Sequence, residues 1–178
     1  MGRNRTARTL AALVTAAALS TAGLVITTTS SASADLAKPT STAARHVDRS
    51  TGGNLVAIRH AKHDTFDRIV FELKGGAPGY DVRYVSTVRY DPSDKPVSMM
   101  GRAYLQVVLH GASAYDLSGR HTYSGLGRAY LSYPTLKGWV INGDFERVLS
   151  IALGLSKKAG FRVFTLSNPT RIVVDVAH

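Results

Sequence analysis

Short runs of alternating apolar and polar residues recur along the chain from Leu55 onward, with turn residues between them. In the clearest run, Ala103–Gly111, the side chains of Leu105, Val107 and Leu109 share one face. Alternation with a period of two is typical of half-buried β-strands. Eight such runs predict an all-β, two-sheet β-sandwich of about eight strands. The runs are Leu55–His60, Arg68–Lys74, Tyr80–Val88, Ala103–Gly111, Trp139–Asn142, Arg147–Leu155, Phe161–Leu166 and Arg171–Val176.

One segment carries a helical pattern as well as a strand pattern. In Asp144–Gly160, apolar residues stand at helical offsets, which allows an amphipathic helix. In the same segment Leu149, Ile151 and Leu153 alternate with small or polar residues, and Gly154 ends the run. We therefore predict a strand there. A weaker helical spacing opens the segment that begins at Pro96.

The residues from Tyr115 to Gly138 show no strand pattern. A segment of this length is long for a connection inside a compact domain, and such loops are usually functional or disordered. We predict one long loop here, with room for a short helix.

Almost the same phrase occurs at Asp67–Leu73, "DRIVFEL", and at Thr170–Val176, "TRIVVDV". In each copy, strand alternation places the aliphatic side chains on one face and the arginine and acid on the other. The arginine and the acid of one copy are four residues apart, about 13 Å along a strand, which is too far to pair. A pairing within one copy is therefore excluded.

An antiparallel register centred on the middle valines would join the two copies. It would place Arg68 opposite Asp175 on the outer face. The second acid, Glu72, would then face Arg171. Exposed cross-strand ion pairs contribute only about 0.2–1 kcal/mol each, so their effect would be mainly on register. The alternative is that each copy is an ordinary half-buried strand, since any such strand can start with a basic residue and carry one acid; a structure with the two strands in different sheets would exclude the pairing.

The N-terminus has the three parts of a secretory signal peptide. Arginines and no acids occupy the first ten residues, an apolar run covers Leu10–Leu19, and an A-x-A sequence ends at Ala34. We predict a signal peptide over residues 1–34, with a retained N-terminal anchor as the alternative. The polar residues 35–54 are expected to form a flexible leader, and residues 55–178 the folded domain.

Charge and composition limit the kinds of partner that we expect for the exported chain. Removal of residues 1–34 takes away three arginines and no acids, so the net charge falls from +10 to +7. A basic exported protein favours the anionic polymers of a bacterial envelope over nucleic acid. The chain has no cysteine, which excludes disulfides and a lipid-modified N-terminal cysteine. We expect no membrane anchor after signal cleavage.

The sequence gives little support for catalysis or metal binding. His60 and His63 would point to opposite faces of a strand, and the other histidines complete no zinc spacing. No G-x-S-x-G sequence is present. The acids Glu72 and Asp144 could supply a glycosidase pair, but they are explained as an outward strand residue and a turn residue. We expect no enzyme activity, no metal and no cofactor, with a hydrolase as a distant alternative.

Aromatic and basic residues are concentrated in and beside the long loop. Aromatic faces suit sugar rings, and arginine and lysine suit carboxylates and phosphates. The alternative for Tyr115 and Trp139 is packing into the core beside neighbouring strands. The candidate ligand-binding residues are Tyr115, Arg120, Tyr123, Arg128, Tyr130, Tyr133, Lys137 and Trp139.

Several phrases occur in an order that resembles the AMIN-like domain of secreted actinobacterial proteins. They are "HDTFDRIVFELKG", "GYDVRYV", "YLQVVLHG", "NGDFERVLSIALGL" and "FRVFTLSNPTRIVVDVAH", and they cover nearly all of Leu55–His178. The family is similar to the AMIN domain of cell-wall amidases and secretins. The resemblance implies a sandwich with two pseudo-symmetric halves, in which equivalent strands repeat one phrase.

The same resemblance implies a location more firmly than an activity. AMIN domains target their proteins to the envelope, often by binding peptidoglycan. We therefore expect a secreted, cell-wall-associated, non-catalytic module that binds peptidoglycan or an anionic wall polymer. The alternative is a protein-protein interaction domain that docks onto another exported envelope protein through an exposed sheet edge.

Overall fold

A computed structural model of the chain describes residues 36–178, which form a compact unit of their own. The expected signal peptide lies outside the described residues. Residues 36–178 contain eleven strands and no helix, and this part of the chain therefore offers no helix able to span a membrane. The strands are β1 (Arg45–Val47), β2 (Gly53–Lys62), β3 (Phe66–Gly75), β4 (Gly79–Val85), β5 (Ala103–His110), β6 (Ala112–Ser113), β7 (Arg128–Tyr130), β8 (Leu136–Phe145), β9 (Val148–Leu155), β10 (Phe161–Leu166) and β11 (Thr170–Ala177).

The strands form two sheets over one core, which confirms the predicted sandwich. The six-stranded sheet has the order β1-β4-β5-β9-β8-β7, and the five-stranded sheet has the order β10-β11-β3-β2-β6. Fully buried side chains from both sheets, such as Phe71 and Leu105, belong to the same hydrophobic cluster. All eight predicted strands are present. The three that were not predicted have only two or three residues, too few to show a period.

Each half of the chain contributes one hairpin to each sheet. The first half supplies β2–β3 to the five-stranded sheet and β4–β5 to the six-stranded sheet, and the second half supplies β10–β11 and β8–β9. The halves meet where β3 pairs with β11 and where β5 pairs with β9. The strand orders are thus pseudo-symmetric. The repeated phrase occupies the two central strands of one sheet.

The predicted register between the repeated phrases is confirmed. Val70 lies opposite Val173 in the antiparallel pair of β3 and β11. Arg68 lies opposite Asp175, and its Nε and Nη2 donate to the two carboxylate oxygens at 2.6 and 2.8 Å. This pair is buried rather than exposed, because Asp175 is 0% exposed and accepts a further bond from Arg162 at 2.7 Å.

The second predicted ion pair is wrong. Glu72 lies opposite Arg171, as predicted, but its carboxylate pairs with Arg59 of β2 at 3.1 Å. Arg171 instead donates to the carbonyl oxygens of Ser167 and Pro169 in its own turn. A side chain on an interior strand has neighbours on the strands at both of its sides. The register between two strands therefore does not decide which ion pair the side chain forms.

The leader expected over residues 35–54 differs from the structure. Arg45–Val47 pairs with β4 as β1, and β2 begins at Gly53. The carbonyl of Ser41 accepts a hydrogen bond from the backbone N–H of Phe161, and Pro39 is buried. Backbone groups make most of these contacts, so the segment joins the sandwich without the apolar pattern from which strands are predicted.

The connection between β4 and β5 crosses the outer face of the six-stranded sheet. Val88 packs there against Val140 and Ala152 in a small second cluster. The carbonyl oxygen of Met100 lies so close to β9 that a Cβ on Gly154 would approach it to 1.9 Å. The connection is therefore pressed against the sheet. Its residues form one wall of the site described next.

Candidate functional site

The first part of the long loop is a tightly bonded turn. Asp116 Oδ1 accepts hydrogen bonds from the backbone N–H and the hydroxyl of Ser118 and from the backbone N–H of Arg120. These bonds, led by that of the Ser118 hydroxyl, lower the pKa of Asp116 to about 2. Tyr115 and His121 form a bridge at the base of the turn. This part of the loop contains no helix, which corrects the expected short helix.

An aromatic cavity of about 260 Å³ lies beside this turn. The rings of Tyr115 and His121 form one wall, with centroids 4.2 Å apart. Tyr123 forms another wall, and its hydroxyl donates to the carbonyl of Leu126 at 2.9 Å. Burial raises the pKa of Tyr123 above its ordinary value. We call this space the aromatic cavity. It is defined by Tyr115, His121, Tyr123 and Asp144.

Asp144 supplies the carboxylate of the aromatic cavity. A β-bulge at Ile141 and Gly143 shifts the register of β8, so that Asp144 lies opposite the core residue Leu149. The carboxylate is thereby turned toward the loop, where Oδ2 accepts the N–H of Ala114 at 2.7 Å. Within residues 36–178 Asp144 makes no ion pair.

A larger open groove of about 710 Å³ follows β7. Arg128 stands in it between two tyrosines. Its Nη2 donates to the Tyr90 hydroxyl at 2.5 Å, and its Nη1 lies 3.5 Å from the Tyr130 hydroxyl. The Tyr130 hydroxyl, followed by Tyr90, raises the pKa of Arg128 above its ordinary value. We call this space the basic groove, defined by Tyr90, Leu126, Arg128, Tyr130 and Val140.

No carboxylate among the described residues pairs with Arg128. The guanidinium is held by the two tyrosine hydroxyls and by the Ser98 carbonyl oxygen, which Nη1 reaches at 3.4 Å, and its charge stays available to an anion. Leu126 is 74% exposed and Tyr130 is 61% exposed, so apolar and aromatic surface flanks that charge.

The basic groove continues past β7 toward a second positive region. A neighbouring cavity of about 450 Å³ is lined by Met100, Gly101, Arg102, Lys137 and Ser156. A narrow cavity shares Arg128 and Tyr130 with the basic groove and Met100 with this second region. None of the residues that line these three cavities is an aspartate or a glutamate. We call the second region the groove extension.

The basic groove and the aromatic cavity adjoin each other at Gly127. Gly127 and Ile141 line both spaces. A Cβ built on Gly127 would meet no heavy atom within 4 Å, so the space beside that residue is open. The long loop and β8 thus place Arg128 and Asp144 in neighbouring cavities.

The structure brings five of the eight predicted candidates to this connected surface. Arg128 and Tyr130 line the basic groove, and Lys137 lines its extension. Tyr115 and Tyr123 line the aromatic cavity.

Of the other three candidates, Trp139 lines only the narrow cavity, and Tyr133 and Arg120 line none of these spaces. The Tyr133 ring meets His60 of β2 edge-on at 5.5 Å, and its hydroxyl lies 3.0 Å from His60 Nδ1. Arg120 pairs with Asp116 at 3.1 Å. Trp139 is only 5% exposed and packs in the core. The core position of Trp139 follows from its place opposite Leu153 on β9.

Sequence reasoning missed Tyr90, Arg102 and Asp144. Tyr90 belongs to the connection between β4 and β5, and nothing in its local pattern links it to Arg128. Asp144 was assigned to a turn, whereas it lies in β8 and is turned inward by the bulge. Within residues 36–178, no group of three His, Asp or Glu side chains is placed so that it could hold a metal ion. His63 stacks on the ring of Phe66.

The fold and the site define an all-β sandwich domain with a connected basic and aromatic surface. The AMIN-like domain model matches residues 53–178, so the chain belongs to the AMIN-like family. This membership indicates a module related to the cell wall. A search of the curated proteins and a search of the solved structures each found no match.

Proposed function

We propose that the protein is a secreted, non-catalytic envelope module that binds peptidoglycan or an anionic wall polymer in the basic groove. The observation that carries this proposal is Arg128, a cation without a carboxylate partner, held between Tyr90 and Tyr130 in an open groove. Secretion is supported by the features of residues 1–34, and wall association by membership of the AMIN-like family.

The chemistry of Arg128 suits the acidic groups of a bacterial wall. A guanidinium binds a carboxylate or a phosphate through two parallel hydrogen bonds, and such recognition gains from a fixed orientation. Here the two tyrosine hydroxyls orient the guanidinium before a ligand arrives. Less side-chain entropy is then lost on binding.

The surface around Arg128 suits a polymer. Leu126 supplies apolar contact, and the Tyr130 ring supplies an aromatic face for a sugar or an aliphatic group. Farther along, Arg102 and Lys137 in the groove extension offer charges to later acidic groups of the same polymer. Several weak contacts along one chain raise the overall affinity through effective concentration.

A second candidate function is docking onto another exported protein at the edge of β7. The strand lies at the end of the six-stranded sheet, and its ladder to β8 uses the carbonyl of Gly127 and the N–H of Leu131. In an antiparallel ladder, the backbone groups of Arg128 and Tyr130 then face away from β8. An extended segment of a partner could add a strand there.

Co-sedimentation with purified actinobacterial cell wall tests the first candidate. Residues 36–178 are used, with wall that retains or lacks teichoic-type polymers, across a salt series. We expect binding that weakens as salt rises, because salt screens exposed charges. The double substitution Arg128→Ala with Tyr130→Ala should lower the affinity at least tenfold.

The matched control is Arg83→Ala. This arginine is exposed on β4, four strands from β7 in the same sheet, about 19 Å away. The Arg83→Ala variant should bind wall as tightly as the unchanged protein does. Absence of binding at low salt contradicts the proposal, and equal losses in both variants contradict the assigned groove. Salt-insensitive capture of one exported protein, with no binding to wall, favours the second candidate.

A further inference from the structure

The aromatic cavity contains a carboxylate that has no cation of its own among residues 36–178. Asp144 uses Oδ2 to accept the N–H of Ala114 at 2.7 Å, which leaves Oδ1 available. Arg147 comes three residues later in the chain, but its guanidinium donates to Asn54 Oδ1 at 3.3 Å and to the carbonyl of Gly111 at 2.8 Å. A positive group that enters the cavity can therefore pair with Asp144.

Several hydrogen-bond donors around the cavity already have partners. The N–H of Tyr115 donates to a serine hydroxyl at 3.1 Å, and the N–H of Ala114 is held by Asp144. The Tyr123 hydroxyl donates its one proton to a backbone carbonyl at 2.9 Å, so its oxygen can only accept a further bond. The imidazole of His121 can donate or accept. These groups favour a ligand that donates hydrogen bonds over an anion.

The aromatic rings of the cavity favour the same kind of ligand. Tyr115, His121 and Tyr123 line it together with Asp144, and no lysine or arginine does. The faces of tyrosine rings attract cations, and a carboxylate attracts them as well. A metal ion is a poorer occupant, because no group of three His, Asp or Glu side chains in the described residues is placed to hold one. The composition of the cavity therefore favours an organic ammonium group.

The volume of the cavity limits the size of that group. At about 260 Å³, the cavity lies just below the range of roughly 300–1,000 Å³ that is usual for sites of drug-sized ligands. It has room for one amine-bearing chain or one sugar ring, and not for several units of a polymer. Tyr115 and His121 are exposed, so such a group can reach the cavity from solvent.

The aromatic cavity and the basic groove present their charges on different faces of the six-stranded sheet. Arg128 lies opposite Val140, which belongs to the second cluster on the outer face. Asp144 lies opposite the core residue Leu149. A group bound at Asp144 therefore need not touch Arg128. The two charges define two sites and not one.

We propose that the aromatic cavity is a second binding site, which takes a primary ammonium group. The ammonium donates to Asp144 Oδ1 and lies against the rings of Tyr115 and Tyr123. Amino sugars and the side chains of diamino acids carry this group. A quaternary ammonium keeps the attraction to the rings but has no N–H to donate. The inference goes beyond the proposed function, because it assigns a ligand to a cavity other than the basic groove.

An NMR titration of isotope-labelled residues 36–178 tests the assignment. Glucosamine and Nα-acetyl-lysine methylamide are compared with their N-acetylated forms, which lose the charge, and with choline. We expect at least one free amine to bind at least tenfold more tightly than its acetylated form and than choline. The amide signal of Ala114 should shift, because this N–H is bonded to Asp144. The amine that binds more tightly identifies an amino sugar or a diamino acid as the source of the group.

Two substitutions, each with a matched control, test the contacts. Asp144→Asn keeps an oxygen for the Ala114 N–H but removes the charge, so the free amine and its acetylated form should bind with similar affinity. Asp94→Asn removes the same charge at a residue that does not line the cavity, and it should bind the amine as the unchanged protein does. Tyr115→Leu should bind the amine about two- to fivefold more weakly than Tyr115→Phe, because only phenylalanine keeps a ring. Urea unfolding first shows that each variant is folded.

The comparison of probes uses the unchanged protein, so it does not depend on how any variant folds. Equal binding of the free and acetylated probes overturns the assignment, as does a preference for choline. A preference for the free amine that survives in Asp144→Asn also overturns it, because the amine then binds elsewhere. A preference that is lost in Asp144→Asn and kept in Asp94→Asn establishes the site. Binding of wall in the basic groove is tested separately, by the double substitution at Arg128 and Tyr130.

Discussion

At the scale of single residues, one buried carboxylate holds two arginines. Asp175 is 0% exposed, and it accepts hydrogen bonds from Arg68 and Arg162. The guanidinium of Arg162 lies 4.8 Å and that of Arg68 lies 5.2 Å from the centre of the Phe66 ring. The repeated phrase thus does more than fix the register of β3 and β11. Arg68 of the first copy and Asp175 of the second form a buried polar cluster on the outer face of the five-stranded sheet.

Replacing Asp175 with alanine should destabilise the domain strongly. The change leaves the partly buried guanidiniums of Arg68 and Arg162 without their carboxylate. Removal of one partner from a buried ion pair typically lowers the free energy of unfolding by about 3–5 kcal/mol. Urea unfolding of residues 36–178 measures the change.

The control for Asp175→Ala is Glu72→Ala. Glu72 is 19% exposed and pairs with Arg59, which is 69% exposed, so its removal should lower the free energy of unfolding by about 1 kcal/mol, less than the loss of the fully buried Asp175. Equal effects of the two substitutions would show that burial does not distinguish the pairs.

At the scale of elements, β1 is held to the six-stranded sheet by a side-chain bond to a carboxylate as well as by backbone hydrogen bonds. His46 of β1 meets the carboxylate of Asp81 on β4 at 2.7 Å, and His110 of β5 meets its other oxygen at 2.7 Å. The bonds to Asp81 and then to Asp48 raise the pKa of His46 above 6.5. The bond from His110, the largest of several causes, lowers the pKa of Asp81 below its ordinary value of 3.8.

The attachment of β1 should therefore depend on pH. The stabilisation from His46 is fully present below pH 6.5 and is lost as the pH rises through its higher folded pKa. The stabilisation from Asp81 is present above pH 3.8 and is lost as the pH falls through its lower folded pKa. Between these limits the unchanged protein should melt at a higher temperature than His46→Gln. The difference in Tm should narrow above pH 6.5.

Thermal unfolding of both proteins from pH 3 to pH 9 measures this difference. His63→Gln is the control, because it leaves the bonds between His46, Asp81 and His110 in place. His63 is exposed and stacks on Phe66. A constant difference in Tm across the whole range would mean that His46 acts through packing alone.

The connection between β4 and β5 also depends on one glycine of an adjacent strand. A Cβ on Gly154 would lie 1.9 Å from the carbonyl oxygen of Met100. We expect Gly154→Ala to displace the connection and to lower the free energy of unfolding by about 1–3 kcal/mol, as overpacking does. Gly127→Ala is the control, because its Cβ would meet nothing within 4 Å. Similar urea midpoints for both variants would contradict this view of the connection.

At the scale of the whole molecule, the sandwich extends before the family boundary. The AMIN-like match begins at residue 53, but β1 and the contacts of Ser41 and Pro39 precede it. A chain that begins at residue 53 loses β1, the backbone bonds from Phe161 to Ser41 and from Gly76 to Gly52, and the bond from Thr51 to Ala77. Each lost hydrogen bond removes about 1 kcal/mol, so we expect the free energy of unfolding to fall by at least about 3 kcal/mol. Urea unfolding of residues 36–178 and of residues 53–178 measures this difference. Equal stability would show that residues 36–52 do not stabilise the domain.

The fold was largely predictable because its signals are local and repeated. Each strand of six residues or more shows its alternation within a short window, and both sheets follow from the number of such runs. The register of β3 and β11 was predictable because the two strands carry the same phrase. The choice of ion pairs was less predictable. Glu72 has Arg59 on one side and Arg171 on the other, and no sequence pattern ranks them.

The sequence by itself determined the all-β class, the two sheets, the central pairing of the repeated phrase and the AMIN-like resemblance. Only the tertiary structure decided the site. It placed Tyr90 beside Arg128 across 38 positions and moved Trp139 from the candidate surface to the core. It also turned Asp144 into the aromatic cavity through one β-bulge. Strand patterns depend on neighbours a few residues away, whereas a binding surface depends on which distant segments pack together.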